Sequence, residues 1–212
     1  MFELRNIIPA PLQDAPLGSS DIWATERRFV RGQRYFVAAP SGKGKSTFLH
    51  ILYGLRDDYT GAALCNDTDL RGQSAAAKAA DRQTRVSLVF QDLRLFLHLT
   101  AIENILIKNE LTQHFSLPEI AAMAARLGLT PYLAQTCETL SYGQRQRVAI
   151  LRALCQPFEF LLLDEPFSHL DTDNVRAACA LISQVAAAQN AGYILVSLGE
   201  QYPLVFDERL VL

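Results

Sequence analysis

The sequence predicts an α/β fold with a mainly parallel sheet and an inserted helical subdomain, and three observations carry that prediction. Apolar runs rich in β-formers recur at Phe36-Val37-Ala38, Val86-Ser87-Leu88-Val89-Phe90, Phe160-Leu161-Leu162-Leu163 and Tyr193-Ile194-Leu195-Val196-Ser197. Strands buried on both faces of a parallel sheet need such continuous runs, whereas a half-exposed strand alternates. Helical stretches separate the runs. Residues 100–154 differ: they show helical periods broken by Pro118, Gly128 and Pro131, with no convincing strand. The order is therefore α/β, helical, α/β, with joints near Gln91 and Gln156-Pro157. We read 1–212 as one domain, with 1–91 and 156–212 forming the α/β core and 92–155 the helical subdomain.

The elements follow in order. Phe36 to Ala38 leads into a polar loop, Ala39 to Gly44, and a helix from Lys45 to about Tyr53. The Ala-rich stretches 75–80, 121–125 and 186–188 read as helix rather than linker, because alanine is the strongest helix former. Helix 173–189 repeats apolar residues at Val175, Ala178, Leu181, Ile182 and Val185. Asp171 or Thr172 caps its start and Gly192 lies past its end.

Composition narrows the class. Of 212 residues, half are apolar, 20% are charged and the net charge is −2. That leaves ample core material and excludes a generally basic surface, so no nucleic-acid partner is expected. No apolar run approaches the ~18 residues of a membrane span, and Met1 to Leu12 carries charges and prolines unlike a secretory leader. The four cysteines (Cys65, Cys137, Cys155, Cys179) stand far apart, as reduced thiols do.

The loop Ala39-Pro40-Ser41-Gly42-Lys43-Gly44-Lys45-Ser46-Thr47 follows a buried strand and opens a helix, the context a phosphate-binding loop requires. Gly42 and Gly44 let backbone N–H groups converge on phosphate oxygens. Lys45 is placed to neutralise the β/γ oxygens and Ser46 to ligate Mg²⁺. Alanine at position 39, where the motif opens with glycine, predicts some local distortion. Downstream, Leu161 to Pro166 puts Asp164 and Glu165 at the C-terminal end of a buried strand, the edge where open α/β sheets bind ligands. Asp164 is suited to holding Mg²⁺ beside Ser46, and Glu165 to polarising the water that attacks a γ-phosphate.

Between these motifs, Leu140-Ser141-Tyr142-Gly143-Gln144 and the helical run to Leu154 resemble the signature segment of ATP-binding-cassette (ABC) ATPases, which are P-loop NTPases. Gln91 resembles that family's Q-loop and Ser168 to Asp171 its D-loop, so five motifs stand in the family's order from about Phe29 to Leu212. The resemblance implies ATP and Mg²⁺ as ligands, and a second ABC subunit, identical or not, closing head-to-tail on this one. It implies catalytic roles for Glu165, Gln91 and Lys45, and metal contacts from Ser46, Gln91 and Asp164. Nucleotide contacts would come from Ala39 through Thr47 and, across the dimer, from Ser141, Gly143 and Gln144. Ser141 is a favourable N-cap, and the helix start it caps presents open N–H groups to a γ-phosphate.

Residues 91–104 look most like the small lipoprotein-release, cell-division and macrolide-export ATPases. Their partner is a transmembrane permease, which would hold the chain at the inner face of the membrane. Phe96, Leu97 and Leu99 are candidates for the permease groove or for core packing. Three residues depart from the pattern: Ala39, Tyr142 in place of a signature glycine, and Leu198 where the family has a histidine. In addition, no aromatic occurs between Pro11 and Gly18 to stack on adenine, leaving Phe2 or Trp23 as substitutes. None of His50, His98, His114 and His169 stands at the switch position. Arg145 and Arg147 read as lobe-interface residues rather than a nucleic-acid patch. Two other readings stay open: an ATP-gated clamp with little hydrolysis, and a soluble non-transport ABC ATPase.

Overall fold

The computed structural model describes residues 1–15, 17–199 and 201–212. In chain order its elements are β1 (Phe2–Pro9), β2 (Glu26–Phe29), β3 (Arg34–Ala38), α1 (Lys45–Leu52), β4 (Tyr59–Cys65) and β5 (Thr68–Asp69). Then come α2 (Ala75–Thr84), β6 (Val86–Val89), α3 (Ala101–Asn109), α4 (Leu117–Arg126) and α5 (Tyr142–Leu154). The chain closes with β7 (Phe160–Asp164), α6 (Thr172–Ala188), β8 (Gly192–Ser197) and β9 (Glu208–Val211).

The four apolar runs form β3, β6, β7 and β8, and with β9 they make a five-stranded sheet of order β6-β7-β8-β3-β9, parallel throughout. Both faces are buried, which is why the runs are continuous. On β7, Phe160 and Leu162 enter one core cluster while Leu161 and Leu163 enter the other. On β8, Ile194 and Val196 share the first cluster, and Tyr193 and Leu195 the second.

The first cluster is closed by α1 and by a four-stranded antiparallel sheet of order β2-β1-β4-β5. Sequence reasoning did not find that sheet. The second cluster is closed by α3, α4, α5 and α6, so the helices of residues 92–155 share their core with the parallel sheet.

Those three inserted helices start alike. Thr100 with Glu103, Ser116 with Glu119, and Ser141 with Gln144 each form a capping box, in which both N-terminal polar groups bond the other's backbone. The caps set where each helix begins, and the last one sets the start of α5.

Candidate functional site

The loop between β3 and α1 lies at the C-terminal edge of the parallel sheet, as do the ends of β7 and β8. Its left-handed positions are Gly42, at φ +79°, and Gly44, at φ +89°. Gly44 also leaves no room for a side chain, because a Cβ there would lie 2.9 Å from Leu12 Cδ1 and 3.2 Å from Trp23. Ala39 has no positive φ; it is buried, and its amide donates to Ser197 O at 3.0 Å. The distortion expected of alanine is therefore not found, since this position requires no left-handed backbone. Pro40, Ser41, Gly42 and Lys43 are exposed, and Thr47 is half-buried on α1.

Lys45 is buried, and its ammonium donates to Ala39 O at 3.2 Å while pairing with Glu165 Oε1 at 3.1 Å. The Ser46 hydroxyl donates to Gln91 Oε1 at 3.4 Å. Asp164 ends β7 at 1% exposure, and its Oδ1 has no hydrogen-bond partner. Burial pushes the Asp164 carboxyl up to about 6. The Ser46 hydrogen bond pulls the other way, the Glu165 charge adds to the rise, and Lys45 opposes it. Glu165 holds φ at +46°, the left-handed region, and its amide donates to Val196 O at 3.0 Å. The structure thus brings Lys45, Ser46, Gln91, Asp164 and Glu165 together. Lys45, Ser46, Gln91 and Glu165 border a cavity of about 320 Å³ with Leu12, Gly44 and Thr47, and Ser46, Gln91 and Asp164 border an adjoining one of about 430 Å³ with His50, Asp92 and Tyr142.

An orphaned buried carboxylate oxygen beside a hydroxyl and an amide oxygen is a set of hard donors short of a cation, which fits Mg²⁺. Among the described residues no three His, Cys, Asp or Glu side chains form a metal-holding group. An ion here would share its coordination with substrate oxygens, as Mg²⁺ does at phosphate sites.

Ser141, Gly143 and Gln144 lie at the start of α5 and line neither cavity. Ser141 Oγ accepts from the Gln144 amide at 3.3 Å, and Gln144 Oε1 accepts from the Ser141 amide at 2.7 Å. A Cβ on Gly143 would meet His169 O at 2.9 Å, so glycine there lets α5 approach the loop after β7. Tyr142, 37% exposed, packs against His169 with ring centroids 4.2 Å apart, and its hydroxyl donates to Gln91 O at 3.1 Å.

Neither substitute for an adenine-stacking aromatic is free. Phe2 is buried with its ring 5.0 Å from Phe160, and buried Trp23 packs edge-on to Phe48 and donates to Lys43 O at 3.2 Å. Trp23 is instead a prop under the phosphate loop, a role no local sequence signal announces. Pro16, in the segment where the aromatic is expected, lies outside the described residues.

Leu198 follows β8 at 57% exposure. His50 is half-buried against Phe90, and burial, reinforced by Arg94, lowers its pKa. Phe96 and Leu97 are surface residues, at 58% and 42% exposure, so core packing is excluded for both; Leu99 is half-buried. Asn104 presents this segment: its side chain accepts from Phe96 N and donates to Phe96 O, both at 2.9 Å.

Comparison with known proteins gives a consistent family. A family model described as ABC transporter matches residues 25–168, more than half of the chain. The lipoprotein-releasing system ATP-binding protein LolD of Psychrobacter arcticus is 30% identical over 185 residues, covering 85% of this chain and 82% of that protein. The thiamine import ATP-binding protein ThiQ of Vibrio cholerae is 36% identical, covering 76% of this chain and 66% of its own length. Among solved structures, the dimeric bacterial ABC transporter cassette MJ0796 superposes with a TM-score of 0.81 at 22% identity, covering 94% of this chain and 88% of that one.

Proposed function

The chain belongs to the ABC transporter family, as an ATP-binding domain, and from that membership we propose that it is the ATP-hydrolysing subunit of a membrane transport complex. The observation that carries the proposal is the convergence of Lys45, Ser46, Gln91, Asp164 and Glu165 on one phosphate loop.

The roles follow from the chemistry of each group. Backbone N–H groups of 42–47 at the start of α1 receive the β- and γ-phosphates, and Lys45 neutralises them. Ser46, Gln91 and Asp164 would hold Mg²⁺, which would supply neutralisation of phosphate charge. Glu165 is paired with Lys45. Substrate phosphates compete for that ammonium, which releases the carboxylate to orient a water. Attack by that water on the γ-phosphorus breaks its bond to the β-bridging oxygen and yields ADP and phosphate.

Ser141, Gly143 and Gln144 stand away from this chain's own cavity, and we assign them to the site of a second ABC subunit. Residues 92–155 act as the helical lobe against a core of 1–91 and 156–212. Exposed Phe96 and Leu97 face a permease. No helix among the described residues is long and apolar enough to cross a membrane; we assign membrane attachment to that partner. Relatives named for lipoprotein release and for thiamine import leave the direction of transport open, and residues 91–104 favour the lipoprotein-release type.

Leu198 favours a second reading, an ATP-gated clamp that dimerises but hydrolyses little, since an exposed alkyl chain donates no hydrogen bond to a γ-phosphate. One experiment separates the two. ATP turnover and ATP-dependent dimerisation are measured on the wild type and on Glu165→Gln, with and without a candidate permease. Wild-type hydrolysis that is abolished in Glu165→Gln supports the enzyme. Dimerisation with no turnover under any condition selects the clamp.

A further inference from the structure

We propose that Tyr142 is a positioning residue for Gln91, and that α5 holds the loop carrying Gln91 at two separate points. The first is the Tyr142 hydroxyl, which donates to Gln91 O at 3.1 Å. The second is Arg152, whose buried guanidinium donates to Leu93 O at 2.6 Å and Arg94 O at 2.7 Å. Ten residues of helix separate the two, roughly 15 Å at 1.5 Å per residue, so they are independent anchors.

The loop needs holding. Leu93 and Arg94 sit at φ +62° and +47°, a left-handed conformation that side-chain-bearing residues adopt only when their surroundings impose it. A charged donor on two successive carbonyls is such an imposition. On the other side of the loop, Gln91 Oε1 accepts from Ser46 Oγ. The position of this amide oxygen beside Ser46 is therefore set through the Gln91 backbone, and the backbone through Tyr142.

Tyr142 is itself placed from two sides, with its ring 4.2 Å from that of His169 and the Arg145 guanidinium 5.5 Å from the ring centre. A glycine, which the family pattern expects here, offers no hydroxyl. The departure at 142 thus adds a tether from the signature segment to this chain's own metal-side residue, and a displacement of α5 is transmitted to Gln91. This proposal rests on the reading of Ser46 and Gln91 as Mg²⁺ contacts.

The test compares wild type, Tyr142→Phe, Gln91→Ala and the double variant as full chains. Phenylalanine keeps the ring on His169 and removes only the hydroxyl. Amide hydrogen exchange over residues 91–95 of the nucleotide-free protein should accelerate in Tyr142→Phe, with an unchanged unfolding midpoint. The Mg²⁺ concentration giving half-maximal tightening of a fluorescent ATP analogue should rise about three- to tenfold, the loss of one hydrogen bond. Affinity for the analogue in EDTA should stay as in wild type, and the Mg²⁺ shift should vanish in the Gln91→Ala background. Unchanged exchange, or an equal Mg²⁺ shift with and without Gln91, overturns the tether. A wild type that binds no Mg²⁺-nucleotide overturns the functional reading instead, and the exchange comparison still decides the tether.

Discussion

At Asp164, folding and chemistry pull in opposite directions. The side chain is 1% exposed, one oxygen lacks a partner, and burial raises the carboxyl from the ordinary 3.8 to about 6. The charged form is thus disfavoured by the fold. An acid whose folded value lies above its unfolded one contributes its stability in full below the unfolded value and loses it as pH rises through the folded value. At about 1.4 kcal/mol per pH unit, the interval from 3.8 to about 6 leaves ionised Asp164 costing about 3 kcal/mol at pH 8. Asp164→Asn removes the charge and keeps the shape. The ligand-free variant should therefore be more stable than wild type by about 2–3 kcal/mol at pH 8, falling to about 1 kcal/mol at pH 4.5, in urea titrations. Mg²⁺ and ATP close this gap. At a hundred times the dissociation constant they stabilise the wild type by about 2.7 kcal/mol, and the variant, lacking the anionic oxygen, gains much less. A variant less stable than wild type at pH 8, or a gain independent of pH, would refute the argument that burial of this charge is the cause. Equal stabilisation of both proteins by Mg²⁺ and ATP would remove Asp164 from the metal site.

Three further outcomes follow from the same geometry. Glu165→Gln, which removes the carboxylate we propose as base and its pair with Lys45, should lower turnover about a hundredfold or more while nucleotide binding persists, measured by phosphate release and by fluorescence titration. Leu198→His puts a donor at an exposed position beyond β8 and should raise turnover about tenfold or more, the worth of a hydrogen bond to a charged group; no increase would place position 198 outside the reaction. Lys108 on α3 donates to Arg82 O, and burial, with the Arg152 and Arg82 charges, lowers its pKa to about 8. A lysine whose folded value is depressed costs stability at neutral pH and regains it as pH rises from about 8 to 10.5. Because Lys108 is only half-buried, Lys108→Met should stabilise at pH 7 by about 1–2 kcal/mol, with the gain shrinking toward pH 10.5 in urea titrations.

The parts of the fold legible in the sequence are those whose burial is uniform. β6, β7 and β8 are buried at every residue, so their apolar character is continuous and stands out from the helices beside them. The antiparallel sheet leaves no such trace. β1 carries Glu3, Arg5 and Asn6, ends on Pro9 and shifts register between Arg5 and Ile8, so its apolar residues keep no period of two. β4 holds Gly61, where a Cβ would lie 2.3 Å from Arg5 O; the glycine that reads as a turn is the one that lets β1 and β4 meet. β2 is Glu-Arg-Arg-Phe, an edge strand whose charges read as loop.

The candidate site divides in the same way. Residues that act through contiguous backbone, such as the loop from Ala39 to Thr47 or the pair Asp164-Glu165, announce themselves because a strand end and a helix start must be adjacent in the chain. Residues that act by reaching across the fold do not. Trp23 under the phosphate loop, Arg152 on Leu93 and Arg94, and the Tyr142 hydroxyl on Gln91 are side-chain-to-backbone bonds between distant segments, and such bonds impose no spacing on the sequence. Ala39 shows the complementary error. Judged by the motif it is a lost glycine, yet the left-handed turns of the loop fall at Gly42 and Gly44, while position 39 keeps an ordinary φ and joins the sheet through Ser197. Whether a departure from a pattern matters is thus decided by the backbone conformation at that residue: alanine costs nothing at 39, whereas the same replacement at 44 would meet Leu12 and Trp23.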